Sequence, residues 1–401
     1  MTQLLLIAGL VTLQVDGGLR FGGMVMTEQP ALYLNPWLGV ATGPYELQLQ
    51  APMIVEFESG ELRERDWDEI ADFGRIVHSA KWGDAVRVGL IQHRSLGEGT
   101  ILRRYYNGVV PDHYRIGLDW RPGLKPNSPL KPTTFELMAD QLLGYPIVAT
   151  RSMWTVYKHL EFDLELAIDT AAPGTIESRL DTVGLPVHSA SPLPMYGFGM
   201  TWRALRLVDS ELSLYGHLNA IQLAGLGGHF GLIGEAQVAG KWLVKGRLEL
   251  MFLGAHYTWS VFDTGYLIDR WGHIEAERDG AASTLGGRAG FQLEYGQVWI
   301  FGAEYADCGQ SGRADFSTWL SAPIGRTTLT AMWRQRRVHH RTELFDPSNA
   351  LAAVSSQIRL TRLFAFAFFL AREWRTTPEA NAFEPTTTVG LTLVLGRAQG
   401  G

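Results

Sequence analysis

The sequence predicts an all-β protein: a transmembrane antiparallel up-and-down β-barrel of about 16 to 20 strands, with one short helix in a long loop. Three observations carry that expectation. Apolar and polar residues alternate with period two along many segments, the connections between those segments alternate between short and long, and no apolar run could form a membrane-spanning helix. The longest run uninterrupted by a polar residue, Leu363 to Ala371, has nine residues, against the roughly 18 that a helix needs. A membrane protein of this composition would have to cross with strands, since closed barrels and helices alone satisfy every backbone polar group in lipid.

Composition narrows the classes further. The 401 residues carry 35 Lys+Arg against 41 Asp+Glu, 46% are hydrophobic, and there is one cysteine. A disordered chain and a disulfide scaffold are both excluded. A net charge of −6 lacks the basic stripe that phosphate contacts require, so no nucleic-acid partner is expected. Forty-five Gly, 13 Trp, 13 Tyr and 18 Phe point to many turns and many amphipathic rings. Cys308, alone, reads as a filler of a small site.

At the amino terminus, Leu4 to Leu13 is a ten-residue apolar core followed by Gln14-Val15-Asp16-Gly17. It reads as a secretory signal peptide over residues 1–17, leaving 18–401 as a single barrel domain. A buried first strand is the competing reading of the same residues. In the N-terminal half, Tyr45 to Glu58, Ala85 to His93, Thr100 to Tyr106, His113 to Trp120, Ile147 to Tyr157 and Leu160 to Thr170 read as strands. One segment departs from that period: Trp67, Ile70, Phe73 and Val77 fall at helical spacing after Asp66, an N-cap residue type.

From Met195 onward the alternation is cleaner. Trp299, Phe301, Ala303 and Tyr305 share a face opposite Gly302 and Glu304, and Val389, Leu391, Leu393 and Leu395 oppose Thr388, Gly390 and Thr392. Short connections at Asp209-Ser210, Ala239-Gly240, Gly296, Pro323 to Gly325 and Thr361-Arg362 alternate with longer ones at Gly225 to Gly228, Thr258 to Leu285, Asp307 to Gly312, His339 to Asn349 and Arg375 to Pro385. Alternation of faces alone would also suit a soluble sandwich; the connection lengths favour an outer-membrane barrel, with turns on one side and loops on the other. Trp154, Trp202, Trp242, Trp259, Trp299, Trp333 and Trp374 lie near strand ends or outer faces, as interfacial girdles require.

The last strand, Thr388 to Leu395, resembles the signal by which the bacterial barrel-assembly machinery recognises a final strand, with Thr388, Gly390, Leu393 and Leu395 at the pattern positions. A second resemblance rests on the helical segment together with Gly97-Glu98-Gly99-Thr100-Ile101-Leu102-Arg103-Arg104-Tyr105-Tyr106-Asn107 and Pro111-Asp112-His113-Tyr114. This stretch, residues 56 to 120, is similar to one shared by largely uncharacterised porin-like outer-membrane barrel proteins of diderm bacteria. The resemblance implies a porin-like barrel and no known substrate.

Chemistry-bearing constellations are weak. His78-Ser79 and His188-Ser189 are sequence neighbours, which point to opposite faces of a strand. Among the 11 histidines none stands two or four residues from another, so no metal site, no cofactor and no enzyme activity is expected. Gly97-Glu98-Gly99 lacks the Lys-Ser/Thr of a phosphate cradle and reads as backbone geometry. Charge is more suggestive: Arg103, Arg334 and Arg336 occupy polar faces of strands, while Asp66, Asp68, Glu69 and Asp72 crowd the loop helix. Folded into the lumen, those acids would face a basic wall and make the transverse field of a constriction. The competing expectation is a solvated acidic loop, with the arginines paired locally to Glu304 or Glu343.

The sequence therefore favours a porin-like channel in the bacterial outer membrane, passing small polar solutes or ions. Its partners would be outer-membrane lipid, the barrel-assembly machinery, and a homo-oligomer or other envelope proteins. A closed barrel serving as anchor or scaffold for an envelope machinery, and a secreted or periplasmic all-β binding protein, remain open at this stage.

Overall fold

A computed structural model describes residues 4–6, 11–26, 29–63, 66–67, 70–108, 115–123, 132–144, 146–172, 179–180, 186–187, 191–222, 225–238, 240–257, 259, 261–263, 266, 282–296, 298–309, 314–338, 343–345, 350–361, 363–376 and 383–396. Its strands close into one antiparallel barrel of 20, at the upper end of the sequence expectation. They are β1 Val11–Met26, β2 Gln29–Thr42, β3 Tyr45–Gln50 with Met53–Glu56, β4 Val77–Trp82, β5 Val86–Gly89, β6 Gly117–Trp120 and β7 Thr134–Ala139. Next come β8 Ile147–Tyr157, β9 Leu160–Asp169, β10 Leu193–Leu207, β11 Ser210–Ile221, β12 Gly225–Val238, β13 Trp242–Leu253 and β14 Thr284–Tyr295. The wall is completed by β15 Trp299–Asp307, β16 Ala314–Ile324, β17 Thr327–Val338, β18 Ala350–Arg359, β19 Phe364–Thr376 and β20 Phe383–Gly396. β3 breaks at Ala51-Pro52, opposite Pro36 of β2, because two prolines leave the ladder without N–H donors there.

Each strand pairs with its chain neighbour, and β20 closes on β1 through nine residue pairs from Gly18↔Gly396 to Met26↔Thr388. Upstream of this seam, Leu13 to Gly17 continue β1 against Leu38 to Thr42 of β2. Short connections such as 43–44, 83–85, 158–159, 208–209 and 325–326 gather at one end, and the long ones, such as 57–76, 90–116, 170–192 and 254–283, at the other. The connection 121–133 is the exception at the turn end. Gly225 to Gly228, read as a loop from sequence, lies inside β12. Thr100 to Tyr106, read as a wall strand, is not part of the wall, with Leu102–Arg103 extended but unpaired to any barrel strand.

Register fixes which way each side chain points. Residues directly opposite in an antiparallel pair share a face, so Asp163↔Gly199↔His217↔His229↔Met251 form one inward rung across five strands. The intervening rung, with Phe198, Leu218 and Phe252, points outward, where Leu218 is 68% and Phe252 59% exposed. Aromatic pairs end this apolar band at the turn side: Tyr45 with Trp82, Trp120 with Phe135, and Trp242 with Tyr295, at centroid separations of 5.2, 5.8 and 4.9 Å. Trp202 and Trp299 stand outward as expected, whereas Trp259 is buried inside the lumen.

Gly390 sits on the inward face of the closing strand, where an added Cβ would strike the Phe369 ring of β19. Its neighbours Thr388, Leu393 and Leu395 belong to the same seam, Thr388 inward and the two leucines outward. Gly390→Pro, or deletion of Thr388 to Leu395, is expected to abolish closure, read as loss of heat-modifiable gel mobility and loss of the protein from the membrane fraction.

Candidate functional site

Inside the ring, the chain leaving β5 turns into the lumen instead of continuing the wall. Gly89 makes the bend at φ 118, a conformation open to glycine. Residues 91–107 then form an inward hairpin: Arg94 and Tyr105 exchange backbone hydrogen bonds of 3.0 and 2.7 Å, and the Leu96 amide donates to the Leu102 carbonyl at 3.1 Å. Gly97 and Gly99 hold the tip at positive φ, the backbone role expected of that turn.

Polar contacts pin the hairpin along its length. At its base the Asn107 side chain accepts from the Ile91 amide at 2.8 Å and donates to the carbonyls of Arg115 and Asp140, each at 3.0 Å. Asp140 accepts from the Tyr105 hydroxyl and from Arg115, both at 2.6 Å. Midway, Arg94 donates to Glu136 of β7 at 2.5 Å. At the tip, Gly97 lies against Arg151 of β8 and Glu165 of β9, where any Cβ would collide. Arg103 reaches across to pair with Glu304 of β15.

A second inward segment, from the connection after β13, locks onto the first. Phe262–Asp263 pairs in parallel with Leu102–Arg103. The Tyr257 hydroxyl meets His229 Nε2 at 2.7 Å, and the Tyr266 hydroxyl donates to Asp169 at 2.7 Å. Leu96, Ile101, Leu102, Tyr105, Phe262 and Tyr266 become fully buried against the inner wall. One side of the lumen is thus filled by an apolar core. Beside it, Glu249 collects Arg288, Arg247 and His229, the last at 2.7 Å, while Arg288 and Arg103 flank the Trp259 ring. Each buried charge here has an opposite partner, as desolvation demands.

The other side stays open. A cavity of about 830 Å³ lies between the hairpin, through His93, Arg103, Arg104 and Tyr106, and the wall of β14–β19. That wall presents small or hydroxyl side chains, among them Ser317, Thr330, Ala353 and Ser355. Three cations and three anions line it: Arg103, Arg104 and Arg334 against Asp263, Glu304 and Asp315. Arg103 is taken by Glu304, and Arg334 by Asp263 and by Asp315, the latter at 3.1 Å. Arg104, at φ 46, lays its guanidinium over the Trp319 ring, 3.2 Å from the centroid.

The charges singled out in the sequence divide accordingly. Arg103 and Arg334 do line the cavity, and Arg103 pairs with Glu304 as the local-pairing alternative has it. Arg336 lies in β17, but its side chain is outside the described residues, as are Asp68 and Glu69 altogether. The loop helix is a single 3-10 segment, Ile70–Ile76. Asp66 and Asp72 do not face the lining arginines: Asp66 is held by Arg63 and, at 2.9 Å, by Arg75, which also meets Asp72 at 3.4 Å. A buried carboxylate pairs with the nearest cation, and Arg75 is nine residues away in the same loop. Arg104 escaped the sequence reading, since in an extended segment it would point away from Arg103; at φ 46 its backbone is not extended, and both line the cavity.

The fold and lumen define a class: a closed β-barrel constricted by its own inward loops. No family model matches the chain, and no curated protein matches it. Among solved structures it is similar to Pseudomonas aeruginosa OccK11 (OpdR), at 10% identity, covering 96% of both chains with a TM-score of 0.36. It is also similar to Acinetobacter baumannii OccAB3, at 9% identity over 96% of this chain and 98% of that one with a TM-score of 0.38. An engineered variant of the Rh. blastica porin gives 8% identity, 96% and 99% coverage, and a TM-score of 0.31. Likeness at this distance carries no argument about activity, which is taken below from the chain's own lumen.

Asn107→Ala would leave the Ile91 amide and two carbonyls without their partner, costing roughly 1–3 kcal/mol. The expected readout is tryptic cleavage at Arg94, Arg103 or Arg104 in the folded barrel, at sites the parent protects.

Proposed function

We propose that this protein is an outer-membrane channel through which small polar solutes or ions diffuse past the inward hairpin. The supporting observation is the cavity left beside the hairpin in a closed barrel, with three arginines and three carboxylates in its lining. The membrane setting rests on the outward face. From Trp242 to Phe252 on β13, ten steps at about 3.3 Å per residue and about 40° tilt rise roughly 25 Å, the height of the apolar band in such barrels. A secreted or periplasmic binding protein would have to leave that whole band in water.

A closed barrel acting as an envelope scaffold is the second reading, favoured by one observation: the apolar core built inside the lumen from the two inward segments. Single-channel recording in a planar bilayer separates the two. Stepwise conductance is expected; silence from a correctly inserted, heat-modifiable barrel would sink the channel reading. Because Arg104 lines the cavity, Arg104→Glu is expected to shift the reversal potential in a salt gradient toward cation selectivity. Neutralising Asp66 and Asp72 is expected to leave it unchanged.

Export would proceed by removal of residues 1–17 and recognition of Thr388 to Leu395 by the assembly machinery. Cleavage after Gly17 spares the seam, whose first pair is Gly18↔Gly396. The intact mass of the membrane-extracted protein is expected to correspond to a chain starting at Gly18. A mass retaining Leu13 to Gly17 would instead mean that they stay as the upstream part of β1.

A further inference from the structure

We propose that Asp163, Glu165 and His217 form a binding site for one divalent transition-metal cation of the zinc type on the inner wall of the barrel. Donor atoms of the three side chains lie within 4.8 Å of one another, and all three residues are buried. The site is made by glycine. On the middle strand β10, Gly199 stands between Asp163 of β9 and His217 of β11, and Gly197 stands between Glu165 and Asn219. With no side chain on the central strand, the flanking ones lean over it and converge: a Cβ at Gly199 would collide with both Asp163 and His217, and one at Gly197 would come within 2.9 Å of Asn219 Oδ1.

The donors point inward with most of their polar atoms unsatisfied. Asp163 Oδ1, both Glu165 oxygens and both His217 nitrogens are buried and make no hydrogen bond. Arg151 of β8 donates to Asp163 Oδ2 at 3.2 Å but stands 3.6 Å from Glu165, and His217 Nδ1 is 3.9 Å from Asp163 Oδ1, beyond a hydrogen bond. One guanidinium against two carboxyl groups leaves five unsatisfied atoms in a region screened from water, an arrangement that costs free energy unless something fills it. Asn219 Nδ2 donates to the Tyr257 hydroxyl at 2.9 Å, which leaves its unpartnered Oδ1 beside the same gap as a further oxygen donor.

One imidazole nitrogen with two carboxylates is a donor set that zinc accepts, with bonds of about 2.0–2.2 Å that small side-chain rotations would supply. Bound there, the ion would tie β9 to β11 across β10, directly beneath the tip of the inward hairpin. No sequence spacing announces such a site, since its ligands meet only through strand register.

The test uses the full barrel in detergent, stripped with a chelator and then exposed to Zn²⁺ alone. One zinc per chain should survive desalting, measured by mass spectrometry of the metal, and the thermal transition should rise. His217→Gln and Asp163→Asn, with heat-modifiable mobility retained, should each weaken zinc binding more than about tenfold. Substoichiometric zinc, or affinity unchanged in both variants, would mean an adventitious ion only and would overturn the site. If the variants do not fold, anomalous diffraction at the zinc edge from parent crystals decides: a peak among the three side chains supports the site, and none there refutes it. A parent that conducts yet binds no zinc would remove the site and leave the channel reading standing.

Discussion

The antiparallel register, closed through β20 onto β1, is the constraint on which every other feature rests. Once Gly18 faces Gly396, the register of the ladder assigns residues to lumen or exterior, with local shifts in four of its pairings. A slip of one residue anywhere would exchange the faces. That single condition puts Leu218 and Phe252 outside and His217 and Met251 inside, and it explains why one chain can be apolar to its surroundings and ionic within.

A ring of this size encloses more space than its own side chains fill. The molecule fills part of that space with backbone, which brings polar groups into a place with little water. The solution is local pairing: Asn107 and Asp140 satisfy the hairpin's base, Phe262–Asp263 gives its outer edge a short parallel partner, and Arg103 and Arg334 find Glu304 and Asp263. Such pairs add little net stability compared with apolar packing, but removing one member leaves an uncompensated charge. Their effect is to fix where the hairpin lies, and with it the shape of the remaining cavity.

Glycine on the inner wall works differently from glycine in turns. At Gly97 it permits a positive φ and a close approach to Glu165. At Gly197 and Gly199, in ordinary extended backbone, it removes a side chain so that residues two strands apart become neighbours. The first use shapes the hairpin; the second brings acids and a histidine together across a strand.

Much of the fold was legible because period-two alternation and connection length are local properties. Trp299, Phe301 and Tyr305 face outward as their alternation with Gly302 and Glu304 implies, and most of the short connections lie at one end, with most of the long ones at the other. The short segment around Ile70 to Ile76 was also visible as a break in period. What lies inside was not. Thr100 to Tyr106 looks like another strand, since an inward hairpin and a wall strand share the same extended backbone; only the closed ring decides that there is no place for it in the wall. Asp66 and Asp72 read as lumen charges because sequence shows a crowd of acids but not the nearby Arg75 folded onto them. Asp163, Glu165 and His217 carry no sequence signature at all. The sequence determined the parity of each strand, hence the barrel and its apolar exterior; only tertiary structure decided which inward residues meet, because their proximity depends on register across strands and on loops that enter the lumen from distant points in the chain.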